Sequence, residues 1–372
     1  MKSAFIYTPR YHLYDYGPGH PMKTVRLRLC YELLDACHLF QNPDVMLVEP
    51  LTAKKEDVLL FHDEDYINAL EHQDTDRDNS SYSYGIGYGD NPGFKGVYEW
   101  SMLSAGASVR AAEIVSTTAA GTAFNIAGGL HHAMPQRASG FCYINDPAVA
   151  IFTLLKQGKR VAYIDIDAHH GDGVQHAFYN TNKVLTISLH ESGEFLFPGT
   201  GFVEETGEGE GTGYSVNLPF YPGTGDSVFV WGFEEVVPPL IKAYKPDVIV
   251  TQLGVDTMAS DPLAHLRLTT EGFCSMIERM RSFGIPWVAL GGGGYNITTV
   301  ARAWTLALGI MSGIDIPDEI PETCLDSLTR HGLEGSSLRD REKELCDDPA
   351  PRRWAEDKVR YIQEKVFPFY GI

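Results

Sequence analysis

The sequence predicts an α/β protein built on a mostly parallel central sheet, and three observations predict it. Short apolar runs recur along the chain, stretches with helix-like spacing of Leu, Val, Ile and Ala lie between them, and the two kinds alternate. Alternation is the order a parallel sheet requires, because parallel neighbours cannot be joined by a tight turn and need a crossover.

Taken in order, Lys2 to Tyr7 is the first apolar run, and Lys23 to Ala36 follows with apolar residues on one helical face. Val97 to Val115 reads as a long helix, Thr122 to Asn125 as a strand and Pro147 to Lys156 as the next helix. Arg160 to Asp167 and Val184 to His190 are continuous apolar runs of the length and composition of buried strands. Asp226 to Ala243 is helical, Asp247 to Leu253 a strand, Thr270 to Phe283 a helix, Pro286 to Leu290 a strand and Thr298 to Met311 a helix. Two long irregular stretches, Gln73 to Gly96 and Ser192 to Thr212, interrupt the rhythm; loops of this length in a compact domain usually form functional rims. The charged tail, 317–372, carries one expected helix, Pro351 to Phe367, and is expected to pack on the domain formed by 1–316.

The chain has 372 residues, 44% hydrophobic and 21% charged, which suits one large globular unit and excludes disorder or a fibrous repeat. No run of 18 apolar residues occurs, and the first residues form no signal-peptide pattern, so neither membrane insertion nor secretion is expected. A net charge of −19 repels phosphate backbones and argues against a nucleic-acid partner. It would attract a cationic substrate, although acidity also serves solubility alone. The six cysteines, Cys30, Cys37, Cys142, Cys274, Cys324 and Cys346, form no C-x-x-C pair, which fits a reducing cytoplasm.

Four segments could carry chemistry. Asp165-Ile-Asp167-Ala-His169-His170-Gly-Asp172 follows an apolar strand. If the strand continued, its period of two would put Asp165, Asp167 and His169 on one side, at the sheet edge where α/β folds bind ligands. Oxygen and nitrogen donors at that spacing suit a divalent metal. Asp256, just past another strand, offers a third ligand and otherwise reads as a turn Asp. Three protein ligands leave an open position, the mark of a catalytic site. His131 and His132, after Gly128-Gly129, could reach the same edge as proton carriers, or as further ligands, with Asp165 and Asp172 as orienting carboxylates. The run Gly291 to Gly294 lacks the G-x-x-x-x-G-K pattern of a phosphate loop, and its freedom could swing Tyr295 over a ligand, where a phenol can donate to an oxyanion. Tyr295 otherwise reads as packing.

Together with Ser139-Gly140-Phe141-Cys142-Tyr143, Ser188-Leu189-His190, Phe197-Pro198-Gly199-Thr200-Gly201 and Gly254-Val255-Asp256, these segments resemble, in order and up to about Ser312, the metal-dependent histone deacetylase family, most of all its bacterial acetoin-utilisation branch. The resemblance implies the arginase-deacetylase fold, with 1–316 as the catalytic domain, and a zinc ion, with iron as a substitute, on Asp167, His169 and Asp256. It makes His132 the general base and acid, oriented by Asp172, pairs His131 with Asp165, and makes Tyr295 the carbonyl-polarising residue. Phe141 and Phe197 would wall an acyl-lysine tunnel, Gly140 would form its floor contact, and Asp90 would hold substrate backbone amides at the rim. Asp165, Asp167, His169, Ser188 and Leu189 match a monovalent-cation site, usually potassium, and Phe178, Thr181, Val184 and Tyr214 a second. Leu130 departs from the aromatic residue many relatives carry beside the paired histidines.

The implied activity is hydrolysis of N-acetyl-lysine in proteins or peptides. Acetylpolyamines and other small acetylated amines are the alternative substrates, which the negative charge would favour. A binuclear arginase-like site is disfavoured because Gly254 stands where a second bridging carboxylate is expected. No G-x-S-x-G element points to a serine hydrolase. A non-enzymatic acyl-lysine reader would lack a ligand or the tyrosine, and neither is missing.

Overall fold

The computed structural model describes residues 2–75, 79–118, 120–340 and 349–372. Cys346 and part of the charged tail lie outside the described residues. In chain order the elements are β1 (Lys2–Ile6), α1 (Val25–Ala36), β2 (Val45–Val48), α2 (Lys55–Val58), α3 (Glu64–Thr75), α4 (Val97–Thr117), β3 (Ala120–Asn125), α5 (Asp146–Lys156), β4 (Val161–Asp165), α6 (Asp172–Phe178), β5 (Val184–Glu191), β6 (Ser215–Phe220), α7 (Asp226–Tyr244), β7 (Val248–Gln252), α8 (Thr270–Ser282), β8 (Trp287–Leu290), α9 (Ile297–Ser312), α10 (Glu322–Arg330) and α11 (Ala350–Lys365).

The eight strands form one sheet in the order β2-β1-β3-β8-β7-β4-β5-β6, and every strand pairing in it is parallel. All six expected strands are present. The two that sequence patterning did not single out are the edges, β2 and β6. β2 has four residues, with Met46 and Leu47 facing solvent. β6 contains Asn217 and Pro219, and a residue without an N–H is tolerated at an edge, where one side of the strand has no ladder to complete. The unexpected helices α2, α3, α6 and α10 are short or strongly polar, so their apolar stripes are weak.

Period two divides each central strand between two apolar layers. Phe5, Phe124, Ala162 and Ile164 join the larger core, whereas Ala4, Ile6, Ala123, Val161 and Tyr163 join the smaller one. Helices α1, α7, α8 and α9 cover the first layer, and α4 and α5 the second. Both faces are buried, which is why the strands read as continuous apolar runs. In the tail, α10 packs on α1, and α11 on α7 and β6, where the Trp354 indole donates to the Pro219 carbonyl at 2.8 Å.

The topology places the site. After β3 the chain skips two positions to lay down β4, β5 and β6, then returns to fill the gap with β7 and β8. The four central neighbours β3, β8, β7 and β4 therefore deliver four separate loops to one carboxyl edge, at the place where the strand order reverses. No helix among the described residues is long and apolar enough to cross a membrane.

Candidate active site

Strand β4 stops at Asp165 instead of running on to Asp167. The acidic side chains themselves end it: the Asp167 N–H donates to Asp165 Oδ1 at 3.1 Å, and the His169 N–H to Asp167 Oδ1 at 2.9 Å. Such bonds from an N–H back to the Asp two residues earlier are turn chemistry and compete with a sheet ladder. The continued-strand expectation fails, yet the turns still bring Asp167 and His169 to the edge.

Asp256 arrives from the loop after β7. Its Oδ1 accepts the Ala168 N–H at 2.8 Å, and its Oδ2 lies 2.9 Å from His169 Nδ1, which is also 3.2 Å from Asp167 Oδ1. One donor atom from each of Asp167, His169 and Asp256 lies within 4.8 Å of the others, and all three residues are buried. Burial alone would raise the Asp167 carboxyl, but the imidazoles of His131 and His169 hold it well below the usual carboxylate range. Burial and the neighbouring Asp167 charge raise Asp256 to about 7. Burial opposes charge on His169, but its bonds to both carboxylates raise it to about 10. Two buried carboxylates thus compete for one imidazole, a charge imbalance that a divalent cation relieves, and the mixed oxygen and nitrogen donors suit zinc or ferrous iron.

Gly254 makes this cluster possible. A Cβ there would sit 2.1 Å from Asp167 Oδ2, so only glycine lets the β7 loop close on that carboxylate. The same oxygen accepts the Gln252 amide at 2.5 Å and the Gly293 N–H at 2.8 Å. Gln252 was not anticipated from sequence; its signal is a carboxamide at the end of an otherwise apolar strand.

The paired histidines each meet a carboxylate. His131 Nδ1 is 2.8 Å from Asp165 Oδ2, which also accepts the Tyr163 hydroxyl at 2.6 Å, and His132 Nδ1 is 2.7 Å from Asp172 Oδ1. The two Nε2 atoms are 3.1 Å apart, and the His132 ring lies 5.9 Å from that of His169. The environments split their titration. Burial opposes charge on His131, but Asp165 and Asp167 raise it to about 9. Burial and the His131 charge lower His132 below 6.5 despite Asp172. Near neutral pH one imidazole is charged and its neighbour is free to take a proton, the separation acid-base chemistry uses.

Aromatic side chains pack around the cluster. Gly140 and Phe141, at φ 51° and 68°, form a tight turn closed by bonds between Ser139 and Cys142. The left-handed region costs a non-glycine residue such as Phe141 about 1–2 kcal/mol. Its carbonyl is fastened by the Tyr16 hydroxyl at 3.1 Å, which in turn accepts the Trp100 indole N–H at 3.1 Å. The Phe141 ring meets that of Tyr295 edge-on at 5.6 Å, and Phe197 meets His132 edge-on at 5.0 Å. Tyr295 is positioned by its N–H, which donates to Asp261 Oδ2 at 2.7 Å, an anchor with no signal in sequence. Burial raises its phenol well above 10, so it remains a donor. Asp90 is exposed in the turn Tyr88–Asn91; its carbonyl is 3.1 Å from His20 Nε2, and Asn91 ties the turn to the Cys142 carbonyl.

Of the expected monovalent-cation residues, Asp165 and Ser188 are register partners on β4 and β5, with Leu189 next along β5. Phe178 ends α6 and accepts the Thr181 N–H, Val184 opens β5, and the Tyr214 carbonyl accepts from Thr186. Leu130 is buried beside Ala133 and Cys142.

Residues 20–311 match the sequence family described as the histone deacetylase domain. Histone deacetylase clr6 of Schizosaccharomyces pombe is 38% identical over 323 residues, covering 86% of this chain and 79% of that protein. Histone deacetylase RPD3 of Saccharomyces cerevisiae is 38% identical over 324 residues, 86% and 74% of the two chains. Human histone deacetylase 1 is 40% identical over 325 residues, 86% of this chain and 66% of that protein. Two solved structures are similar. An HDAC homolog complexed with SAHA has a TM-score of 0.88 and 36% identity, and an HDAC homolog from Aquifex aeolicus has 0.87 and 35%; each match covers 96% of this chain and 100% of the other.

Proposed function

The chain belongs to the histone deacetylase family and is a hydrolase of that kind, and from that premise we propose that it hydrolyses N-acetyl-lysine in proteins or peptides to acetate and free amine. One observation carries the reading. His132, anchored on Asp172, stands beside the Asp167, His169 and Asp256 cluster, with Phe197 packed on its ring and Phe141 against Tyr295.

Asp167, His169 and Asp256 would hold zinc, or iron in its place, and the ion would polarise the acetyl carbonyl and acidify a water molecule. His132, kept neutral by burial and the His131 charge, takes the proton of the attacking water and returns it to the departing amine. The Asp172 carboxylate holds its Nδ1, so the exchange occurs at Nε2, which gives up its 3.1 Å contact with His131 Nε2 to reach the water. Tyr295, held protonated, donates to the oxygen that becomes negative. Phe141 and Phe197 shelter an uncharged alkyl stem, Gly140 lets the chain turn close to it, and Asp90 receives peptide N–H groups at the rim. Potassium is assigned to the Asp165, Asp167, His169, Ser188 and Leu189 cluster, and to the Phe178, Thr181, Val184 and Tyr214 neighbourhood. Residues 1–316 form the catalytic domain on this reading, the acetoin-utilisation branch is the assigned subgroup, and the cytoplasm the compartment.

The net charge of −19 favours a second reading, hydrolysis of acetylated polyamines. The deciding comparison is kcat/KM for an acetyl-lysine peptide and for acetylputrescine, in wild type and Asp90→Ala. Two rim N–H bonds to a carboxylate contribute roughly 1.5–3 kcal/mol each, so the variant should lose activity on the peptide selectively. Preference of the wild type for acetylputrescine, or equal losses on both substrates, replaces the protein-deacetylase reading with the polyamine one.

A further inference from the structure

At the amino edge of the sheet, opposite the active site, the turns entering β4 and β5 form an open pocket of about 460 Å³ lined by Leu155, Gly158, Lys159, Arg160, Asn182, Lys183 and Tyr214, of which Arg160, Asn182 and Lys183 are exposed. We propose that this cavity binds a small anion bearing a phosphate or diphosphate group.

The sheet register creates the site. Val161 pairs with Val184, and the Val161 N–H donates to the Lys183 carbonyl at 3.3 Å, so Arg160 and Lys183 stand side by side just before their strands. Like charges at adjacent positions on neighbouring strands repel. Lys159 adds a third positive charge from the same turn, and Asn182 adds a carboxamide. None of the three bases forms an ion pair among the described residues. Asp247 lies against this edge, with one carboxylate oxygen accepting the Arg160 backbone N–H at 2.8 Å, but it is not among the lining residues. A cavity lined by three bases and no acid stands out in a chain with 49 acidic and 30 basic residues, and Asp247 beside it offsets at most one of the three charges.

The donors are partly preorganised. The Arg160 guanidinium lies 3.9 Å from the centre of the Tyr244 ring, and the Tyr244 hydroxyl donates to the Asn182 carbonyl at 3.3 Å, so one tyrosine braces both turns. Tyr244 both stacks on the Arg160 guanidinium and takes one of its hydrogen bonds, which leaves the remaining donors of the planar group for phosphate oxygens. Three cations together match an anion of two or three charges better than a single carboxylate. The volume falls in the ordinary range of small-molecule sites. The five residues of β4 separate this edge from the active site by about 16 Å at about 3.3 Å per residue, so altering it leaves the catalytic groups in place.

The test is calorimetric titration of the metal-loaded full chain with sodium pyrophosphate, and separately with ADP, in low salt. Saturable one-to-one binding is expected, with Kd below about 1 mM. Lys159→Ala/Arg160→Gln should weaken it at least about tenfold, because two of the three charges are gone, while turnover of an acetyl-lysine peptide without ligand stays at the wild-type level. ADP binding tighter than pyrophosphate identifies an organic phosphate as the favoured occupant, and equal affinities identify the diphosphate group alone. Absence of saturable binding overturns the proposal. So does equal binding by wild type and the double variant, which is also the result if the heat comes from pyrophosphate stripping the metal.

Discussion

Gly254→Ala tests the geometry of the candidate metal centre without removing any ligand. The added Cβ would start 2.1 Å from Asp167 Oδ2 and 2.6 Å from its Cγ. Ordinary contact begins at 3.4 Å, so the carboxylate or the β7 loop must move about 1.3 Å, against a tolerance of about 0.2 Å in metal-ligand distances. Neither can move freely. Asp167 Oδ2 is held by Gln252 and the Gly293 N–H, bonds to a charged acceptor that contribute about 1.5–3 kcal/mol each. Shifting the loop instead displaces Asp256, two residues along, from His169 and the Ala168 N–H. Either route costs stability of the order of 1–3 kcal/mol from overpacking and misplaces a ligand. Zinc affinity should fall about 10–100-fold, and kcat/KM at matched metal content about 10²-fold, the usual cost of a 1 Å misplacement. Competition titration against a chelating dye, thermal unfolding and steady-state kinetics read the three effects. Gly19→Ala is the control, since its Cβ would meet nothing within 4 Å. A Gly254→Ala protein with unchanged zinc affinity and unchanged kcat/KM refutes the placement of Asp167 in the metal centre.

Other variants separate the roles. Asp256→Asn should lose bound metal and deacetylation together while largely keeping its fold, since an open catalytic site contributes less to folding than a closed structural one; elemental analysis and circular dichroism check this. Tyr295→Phe should lower kcat about 10²–10³-fold with little change in metal content, and wild-type turnover would return Tyr295 to a packing role. The acidic limb of kcat/KM should lie below pH 6.5, because burial and the His131 charge lower His132 and the base works when neutral. Asp172→Asn removes an influence that raises His132, so the limb should move to still lower pH while the plateau drops about 10–100-fold; a limb that moves up or stays fixed contradicts the assignment of His132 as base.

The fold class and most of the site are legible in the chain because both rest on local pattern. Strands buried on both faces are apolar over most of their length, so β1, β3, β4, β5, β7 and β8 stand out, and the Asp-x-Asp-x-His run, Asp256, the paired histidines and Tyr295 lie at or shortly after the ends of four of them. Edge strand β2 is only four residues long with two of them facing solvent, and β6, although buried throughout, is interrupted by Asn217 and Pro219, so both are hard to see. What tertiary structure alone decided is which strand ends meet. Strand order β3-β8-β7-β4 brings together loops up to 170 positions apart, and nothing in a one-dimensional pattern encodes adjacency across the gap that β7 and β8 fill late. It decided the titration as well: His131 and His132 are chain neighbours of identical chemistry and equal burial, and only the carboxylates reaching each from β4 and α6, together with the charge His131 then carries, make one imidazole a cation and the other a base. The supports Gln252, Tyr163 and Asp261 were invisible for the same physical reason, since a hydrogen bond depends on distance in space, and those distances exist only once the sheet has assembled.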